Sequence, residues 1–162
     1  GRLLELLAPR ATAAAGIDLS REMLALARAR LGAVGLARVS LRLADAARLP
    51  FADAAFDVVT LSMMLHYAED PAEVIAEAAR VLAPGGTLAI VELAAHGDDA
   101  LVRRLAHRWP GFAPPQLEAW LRAAGLTPAR HGGVAGAIPV LLFAATRGAL
   151  GRTAARPAHE LA

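Results

Sequence analysis

The 162 residues include no cysteine, which excludes a thiolate nucleophile, a disulfide and a cysteine-ligated zinc. Lysine is missing too, because all 17 basic residues are arginine. Neither a Schiff-base amine nor a Walker-type phosphate lysine is therefore available. The arginines are scattered, and the formal net charge is only +2 despite a pI near 10.3, so direct nucleic-acid binding gains little support. No apolar run reaches the length of a membrane span, and Gly1 begins no signal peptide. The expectation is a cytoplasmic protein without membrane contact.

The chain does have enough apolar material for one domain's core, at 56% hydrophobic residues, largely Ala and Leu. Strand and helix signals alternate along it. Arg2 to Leu7 reads as a helix that ends at Pro9. A short apolar run, Ala13 to Ile17, then leads into Asp18, and Ser20 is a good N-cap for a helix to about Leu31. Met23, Leu24, Ala27 and Leu31 share one face of that helix, and Gly32 and Gly35 close it. Val39 to Leu43 alternates as a strand and runs into Asp45. Phe56 to Leu61 is a β-branched run of the kind buried in a parallel sheet. Asp70, Pro71 and Glu73 signpost the next helix as N-cap, first helical residue and capping box. Val74, Ile75, Ala78, Val81 and Leu82 form its apolar stripe. Pro84-Gly85-Gly86 ends it, and Thr87 to Leu93 is a further buried strand.

Beyond Leu93 the pattern loosens. Asp98 to His107 reads as helical, Trp109-Pro110-Gly111 as a break, and Pro115 to Ala124 as a short helix closed by Gly125. Thr127 to His131 and Ile138 to Thr146 read as an antiparallel hairpin, with Pro139 favouring an edge or bulge in the second strand. The expected domain is 1–146, with 147–162 a disordered tail. The fold expected is α/β, a Rossmann-like, doubly wound and mostly parallel sheet with a C-terminal antiparallel hairpin.

Three strand ends carry candidate ligand groups: Asp18, Asp45 and the segment from Leu61 to Tyr67. Parallel strands deliver such groups to one crevice from their carboxyl ends. A carboxylate there accepts hydrogen bonds from ribose hydroxyls, although Asp18 alone reads equally well as a turn residue.

In this setting the sequence resembles the class I S-adenosylmethionine-dependent methyltransferases, in particular the small-molecule branch with the ubiquinone and menaquinone methyltransferases. Gly16-Ile17-Asp18-Leu19-Ser20-Arg21-Glu22-Met23-Leu24, Ala44-Asp45-Ala46 with Leu49-Pro50-Phe51, Phe56-Asp57-Val58-Val59 and Arg80-Val81-Leu82-Ala83-Pro84-Gly85-Gly86-Thr87-Leu88 carry the resemblance. Leu65-His66-Tyr67-Ala68-Glu69-Asp70-Pro71, and His107-Arg108 ahead of Gly111-Phe112, are similar to methyltransferase domains fused behind a winged-helix, arsenic-type repressor. The resemblance implies S-adenosyl-L-methionine as cofactor and a small-molecule methyl acceptor as partner. It puts Asp18 on the ribose, Leu19 and Met23 beside the adenine, Asp45 on the adenine amino group with Ala46 next to it, and Leu61 near the methionine part. Only Gly1 could be the last glycine of the family's glycine-rich loop. The first strand, expected between those ending at Asp18 and Leu61, does not stand in the sequence, so an N-terminally truncated domain is expected.

Methyl transfer asks the protein to align, desolvate and deprotonate. His66 is the candidate base for a hydroxyl acceptor, and Tyr67 and Met64 are candidate acceptor contacts. The bland alternatives are a structural histidine and packed side chains. His96-Gly97-Asp98-Asp99 has metal-ligand types but reads as a loop and helix cap, so no metal is expected. His107 and His131 read as structural or surface residues. Trp109, Phe112 and Trp120 lie where the family builds its acceptor pocket, and core packing competes for each. The rival functions are an effector-sensing domain without catalysis and a nicotinamide-dependent oxidoreductase.

Overall fold

The computed structural model describes residues 1–149, so residues 150–162 of the expected tail lie outside the described residues. It holds five helices and six strands in the order α1 (Arg2–Leu7), β1 (Ala15–Asp18), α2 (Arg21–Ala33), β2 (Ser40–Leu43), β3 (Phe56–Ser62), α3 (Pro71–Val81), β4 (Leu82–Leu93), α4 (Asp99–Arg104), α5 (Pro114–Ala123), β5 (Leu126–Val134) and β6 (Val140–Arg147). Short 3₁₀ turns follow α1 and β3. No helix of the described residues is long and apolar enough to cross a membrane.

The strands form two ladders. β1 and β2 pair in parallel, and the other four run in the order β3-β4-β6-β5. β3 and β4 are parallel, whereas β6 is antiparallel to both β4 and β5. Among the described residues no strand links β1 to β3, the place where the sequence lacks the expected first strand. Each ladder has its own core. Ala8, Leu31 and Val39 underlie β1 and β2. Leu61, Leu65, Ile75, Leu88, Ile90, Phe112 and Leu121 are among the residues of the larger core around β3 and β4. α1 lies so close over β1 that a Cβ on Gly16 would stand 2.6 Å from Leu4 Cδ1. A side chain at Gly16 would require the Leu4 side chain to move.

Local signals explain most elements. Ser20 Oγ accepts the Met23 N–H at the start of α2, and the Asp70 carboxylate accepts the Ala72 and Glu73 N–H groups at the start of α3. Each satisfies backbone donors that have no partner within the helix. Glu73 makes no bond back to the Asp70 N–H among the described residues, so only half of the capping box forms. α2 continues through Gly32 to Ala33, because one glycine costs only about 1 kcal/mol in a helix interior. Its buried face is Leu24, Ala27 and Leu31. Met23 is half-exposed instead, one helical step of about 100° away from Leu24.

Three further expectations are corrected. The helix expected to reach His107 stops at Arg104, and Ala106 has a φ of 53°, a left-handed conformation that ends a helix. β6 is an interior strand with partners on both sides, which leaves β5 as the edge. Pro139 escapes the cost of a missing N–H by preceding β6, and its carbonyl accepts the Ala94 N–H at 2.9 Å. Finally, Pro84-Gly85-Gly86 lies within β4 as a bulge, because Phe56 pairs with Leu82 and Val58 with Thr87.

Candidate active site

β1 and β2 are in register from Ala15 with Ser40 to Asp18 with Leu43, so their carboxyl ends stand side by side. The Ala44 N–H donates to Asp18 O at 3.2 Å, which brings Asp18 and Asp45 to one edge. Each carboxylate also shapes its own turn. Asp18 Oδ1 accepts the Ser20 N–H at 2.9 Å and Asp45 Oδ1 accepts the Ala47 N–H at 2.9 Å. The second oxygen of each remains for a ligand. Leu19 and Met23 are exposed apolar side chains just beyond Asp18. Two carboxylates flanked by exposed apolar groups match the needs of a ribose and an adenine ring, so this half of the site fits the nucleoside of S-adenosylmethionine. Ala46 packs on the larger core together with Met64, and the Leu49 N–H donates to Glu77 Oε1 at 2.7 Å. Those contacts tie the Asp45 loop to the ladder that contains Leu61. Leu61 is buried, with its backbone paired to Ile90. Gly1 is the N-cap residue of α1. A Cβ there would come within 2.9 Å of Ala27 Cα, and with Met23 it lines a groove between α1 and α2.

The second half lies at the carboxyl ends of β3 and β4. Met63, with a φ of 52°, turns the chain out of β3 into the 3₁₀ turn of Leu65, His66 and Tyr67. His66 is 3% exposed and Glu92 is 0% exposed. Their side chains meet at 2.5 Å, His66 Nδ1 to Glu92 Oε1. The Leu93 N–H also donates to Glu92 Oε1, at 2.7 Å, and the Leu65 N–H donates to Oε2 at 2.8 Å. Three donors compensate a carboxylate in a place where an unpaired charge would be very costly. They also set the imidazole. With Nδ1–H donated to Glu92, the lone pair of the ring belongs to Nε2. A carboxylate, a fixed imidazole and a free basic nitrogen make a general-base arrangement.

A strap closes over this pair. Arg108 and Trp109 donate their backbone N–H groups to His66 O at 2.9 and 3.2 Å, and Trp109 Nε1 donates to Ala68 O at 2.9 Å. Phe112 forms a parallel bridge with Ala94. Just before these anchors, the His107 ring lies 4.3 Å from that of His66 and 5.0 Å from that of Tyr67, centroid to centroid. His107 is 9% exposed. Its pKa is held below the ordinary imidazole value, chiefly by burial and then by the nearby His66 and His96. Trp109, Phe112 and Trp120 pack against one another at 5.6 to 6.2 Å as part of the larger core. Tyr67 is about half-exposed beside His66.

Asp98 caps α4 by accepting the Leu101 N–H, and its own N–H donates to His96 Nδ1 at 3.2 Å. Among the described residues no group of three or more His, Cys, Asp or Glu side chains is arranged to hold a metal ion. The side chain of His131 lies outside the described residues.

Sequence reasoning missed Glu92 and gave His107 no functional part. Glu92 did leave a signal, since it is the one ionisable residue in the run Thr87 to Leu93. A carboxylate in a strand buried on both faces needs a partner. His107 left only the resemblance carried by His107-Arg108, because its neighbours are brought together by turns and strands elsewhere in the sequence.

A family model described as "Methyltransferase domain" matches residues 1–90. A demethylmenaquinone methyltransferase of Clavibacter sepedonicus is 31% identical over 195 aligned residues, covering 97% of this chain and 78% of that one. Four further curated relatives, 33% to 45% identical, are spanned over only 30% to 62% of their own length. Among solved structures, a candidate methyltransferase of Bacillus halodurans matches with a TM-score of 0.81 at 20% identity, over 91% of this chain and 88% of that one. An N-methyltransferase of Bradyrhizobium japonicum, solved with S-adenosyl-L-homocysteine, matches with a TM-score of 0.73 at 24% identity, over 91% of this chain and 72% of that one. At these identities the structural likeness speaks for the fold, which is the expected one.

Proposed function

The chain belongs to the class I S-adenosylmethionine-dependent methyltransferases, and from that membership we propose that the protein methylates a hydroxyl group of a small-molecule acceptor. The observation that carries the hydroxyl reading is the buried His66–Glu92 pair at 2.5 Å. A hydroxyl must lose its proton as it attacks, whereas a neutral amine needs no base to begin the attack.

Asp18 and Asp45 would hold the ribose and the adenine amino group, with Leu19, Met23 and Ala46 beside the base and the backbone at Leu61 towards the methionine part. Bound there, the cofactor supplies a methyl group activated on a sulfonium sulfur, which leaves as a neutral thioether. The work of this chain is positioning and proton transfer. His66 Nε2 takes the acceptor proton, the buried Glu92 carboxylate stabilises the imidazolium that results, and Met64 and Tyr67 border the acceptor. A nicotinamide-dependent oxidoreductase would use Asp18 equally well, but the family model matched is a methyltransferase model.

His66→Gln keeps a polar side chain of similar reach and removes the base. With a hydroxylated acceptor the expected loss in kcat is about 10²–10⁴-fold, the usual worth of general-base catalysis. Calorimetry should show S-adenosylhomocysteine affinity within about twofold of wild type, since His66 lies outside the nucleoside half. An unchanged kcat would return His66 to a structural role.

A further inference from the structure

The loop that carries Asp45, residues 44–55, joins β2 to β3 and so crosses from one ladder to the other. It has no strand or helix of its own, yet two arginines from different elements hold its backbone. Arg80, near the end of α3, donates from Nε and Nη2 to the two oxygens of Glu77, at 2.8 and 2.7 Å. Its other donors reach into the loop, Nη2 to Leu49 O at 3.2 Å, and Nη1 to Phe51 O at 3.0 Å and Asp53 Oδ1 at 2.6 Å. All five guanidinium N–H groups are thus engaged. Glu77 Oε1 also accepts the Leu49 N–H at 2.7 Å, so one ion pair engages both backbone groups of Leu49. The hydrogen bonds from Arg80 hold the Glu77 carboxyl below its ordinary range, which keeps the pair ionised at neutral pH. The Arg80 carbonyl accepts the Ala54 N–H at 3.0 Å. From β2, Arg42 Nη1 donates to Pro50 O at 3.1 Å, and its guanidinium lies 5.0 Å from the centre of the Phe51 ring.

A partly exposed ion pair within one helix adds little to stability by itself. Arg80 and Glu77 do more than that, because three of the donors and one acceptor leave the helix for the loop. A planar fork reaches these groups together, whereas a lysine ammonium offers its donors from a single nitrogen. The bonds fall on Leu49, Phe51 and Asp53, just beyond Asp45. On the near side, the Ala44 N–H is bonded to Asp18 O, and Asp45 Oδ1 closes its own turn. The chain is therefore pinned on both sides of Asp45. We propose that Arg80, held by Glu77, is a positioning residue for the cofactor's base: it fixes the loop so that the free oxygen of Asp45 meets the adenine amino group. The inference rests on the methyltransferase reading, in which Asp45 takes that amino group, and adds what makes the contact selective. A carboxylate on a loose loop must be ordered on binding and can swing away from a mismatched base. On a pinned loop it cannot, so it rejects a base that lacks the N–H donor.

The test compares, by calorimetry, S-adenosylhomocysteine with S-inosylhomocysteine, in which a carbonyl oxygen replaces the adenine amino group. Wild type is expected to prefer the adenosyl ligand at least about tenfold, the worth of one hydrogen bond to a charged group. Asp45→Ala should bring the ratio close to one. Arg80→Met keeps a straight side chain without the fork, and should lower the ratio to about threefold or less. Arg80→Lys keeps the charge and should recover only part of the preference. A general loss of stability lowers the affinity for both ligands alike, so the ratio reads positioning and not folding. Should Arg80→Met fail to fold, Arg80→Lys decides in its place. A wild-type ratio in either Arg80 variant, with the ratio lost in Asp45→Ala, would overturn this inference and leave the cofactor reading intact. No preference in wild type, or a preference that survives Asp45→Ala, would remove the Asp45 contact itself and the inference with it.

Discussion

One oxygen of the Asp18 carboxylate holds the turn through the Ser20 N–H, and under the proposed function the other would bind the ribose. Asp18→Asn retains an oxygen for the turn and loses the charge, whereas Asp18→Ala loses both. Charge-assisted hydrogen bonds are worth about 1.5–3 kcal/mol each, so Asp18→Ala should weaken S-adenosylhomocysteine binding by roughly 10–100-fold in calorimetry. Affinity equal to wild type would leave only the turn. His107 brings a different dependence, on proton activity. Its folded pKa lies below the ordinary 6.5, because burial, His66 and His96 oppose the charge more than Glu92 favours it. The unfolded chain thus binds this proton more readily, and its contribution to stability is lost as pH falls below about 6.5. Urea denaturation at about pH 5.5 and about pH 7.5 should show a larger loss on acidification for wild type than for His107→Phe. Equal losses would mean that His107 titrates alike in both states. At this scale the two aspartates were legible in sequence because each closes a strand with a local turn. His107 was not, because its surroundings are assembled from His66, Tyr67, Glu92 and His96, and no local pattern encodes that meeting.

Gly111 is what allows the strap to lie flat along the end of β4. Its φ is +85°, and a Cβ there would stand 2.2 Å from Ala94 O. Neither the backbone angle nor a backbone oxygen can yield cheaply. Gly111→Ala should cost at least about 1–3 kcal/mol of stability and loosen the strap. The amides of Ala95 and His96, which donate to Phe112 O and Pro110 O, should then exchange faster than those of the β3–β4 ladder. Exchange at wild-type rates would show that the strap is not held by this crossing. Elements with their own punctuation were legible in sequence. Asp70-Pro71 starts α3, and its stripe from Val74 to Val81 is buried as the 3.6-residue period requires, whereas Leu82, expected on that stripe, opens β4. The bounds that failed were set by tertiary structure. α4 stops three residues before His107 because the chain must turn back to reach His66. β6 is interior because β5 folds over to its far side.

At the scale of the molecule, two ladders with separate cores meet through the loop that carries Ala46, Ala47 and Leu49. The edges of β1 and β3 away from β2 and β4 have no ladder partner among the described residues. The smaller ladder has only four paired positions and few buried contacts, and such units open first. Hydrogen exchange should therefore show β1 and β2 exchanging well before β3, β4 and β6. S-adenosylhomocysteine, by bridging Asp18 and Asp45 to the end of β3, should narrow the gap. Uniform exchange across both ladders would mean that they open as one unit.

The position of β6 has a consequence for how the protein is made. β4 pairs with β3 on one side as soon as both exist, but its other edge waits for Val140–Arg147. At roughly 5–20 residues per second of synthesis that wait is several seconds. In the finished fold β5 pairs with β6 and not with β4, so it does not fill that place. During that interval the strand that carries Glu92 is a half-paired apolar edge, open to any other nascent strand nearby. The Glu92 side chain, buried in the finished fold, is thus enclosed on that side only when β6 arrives.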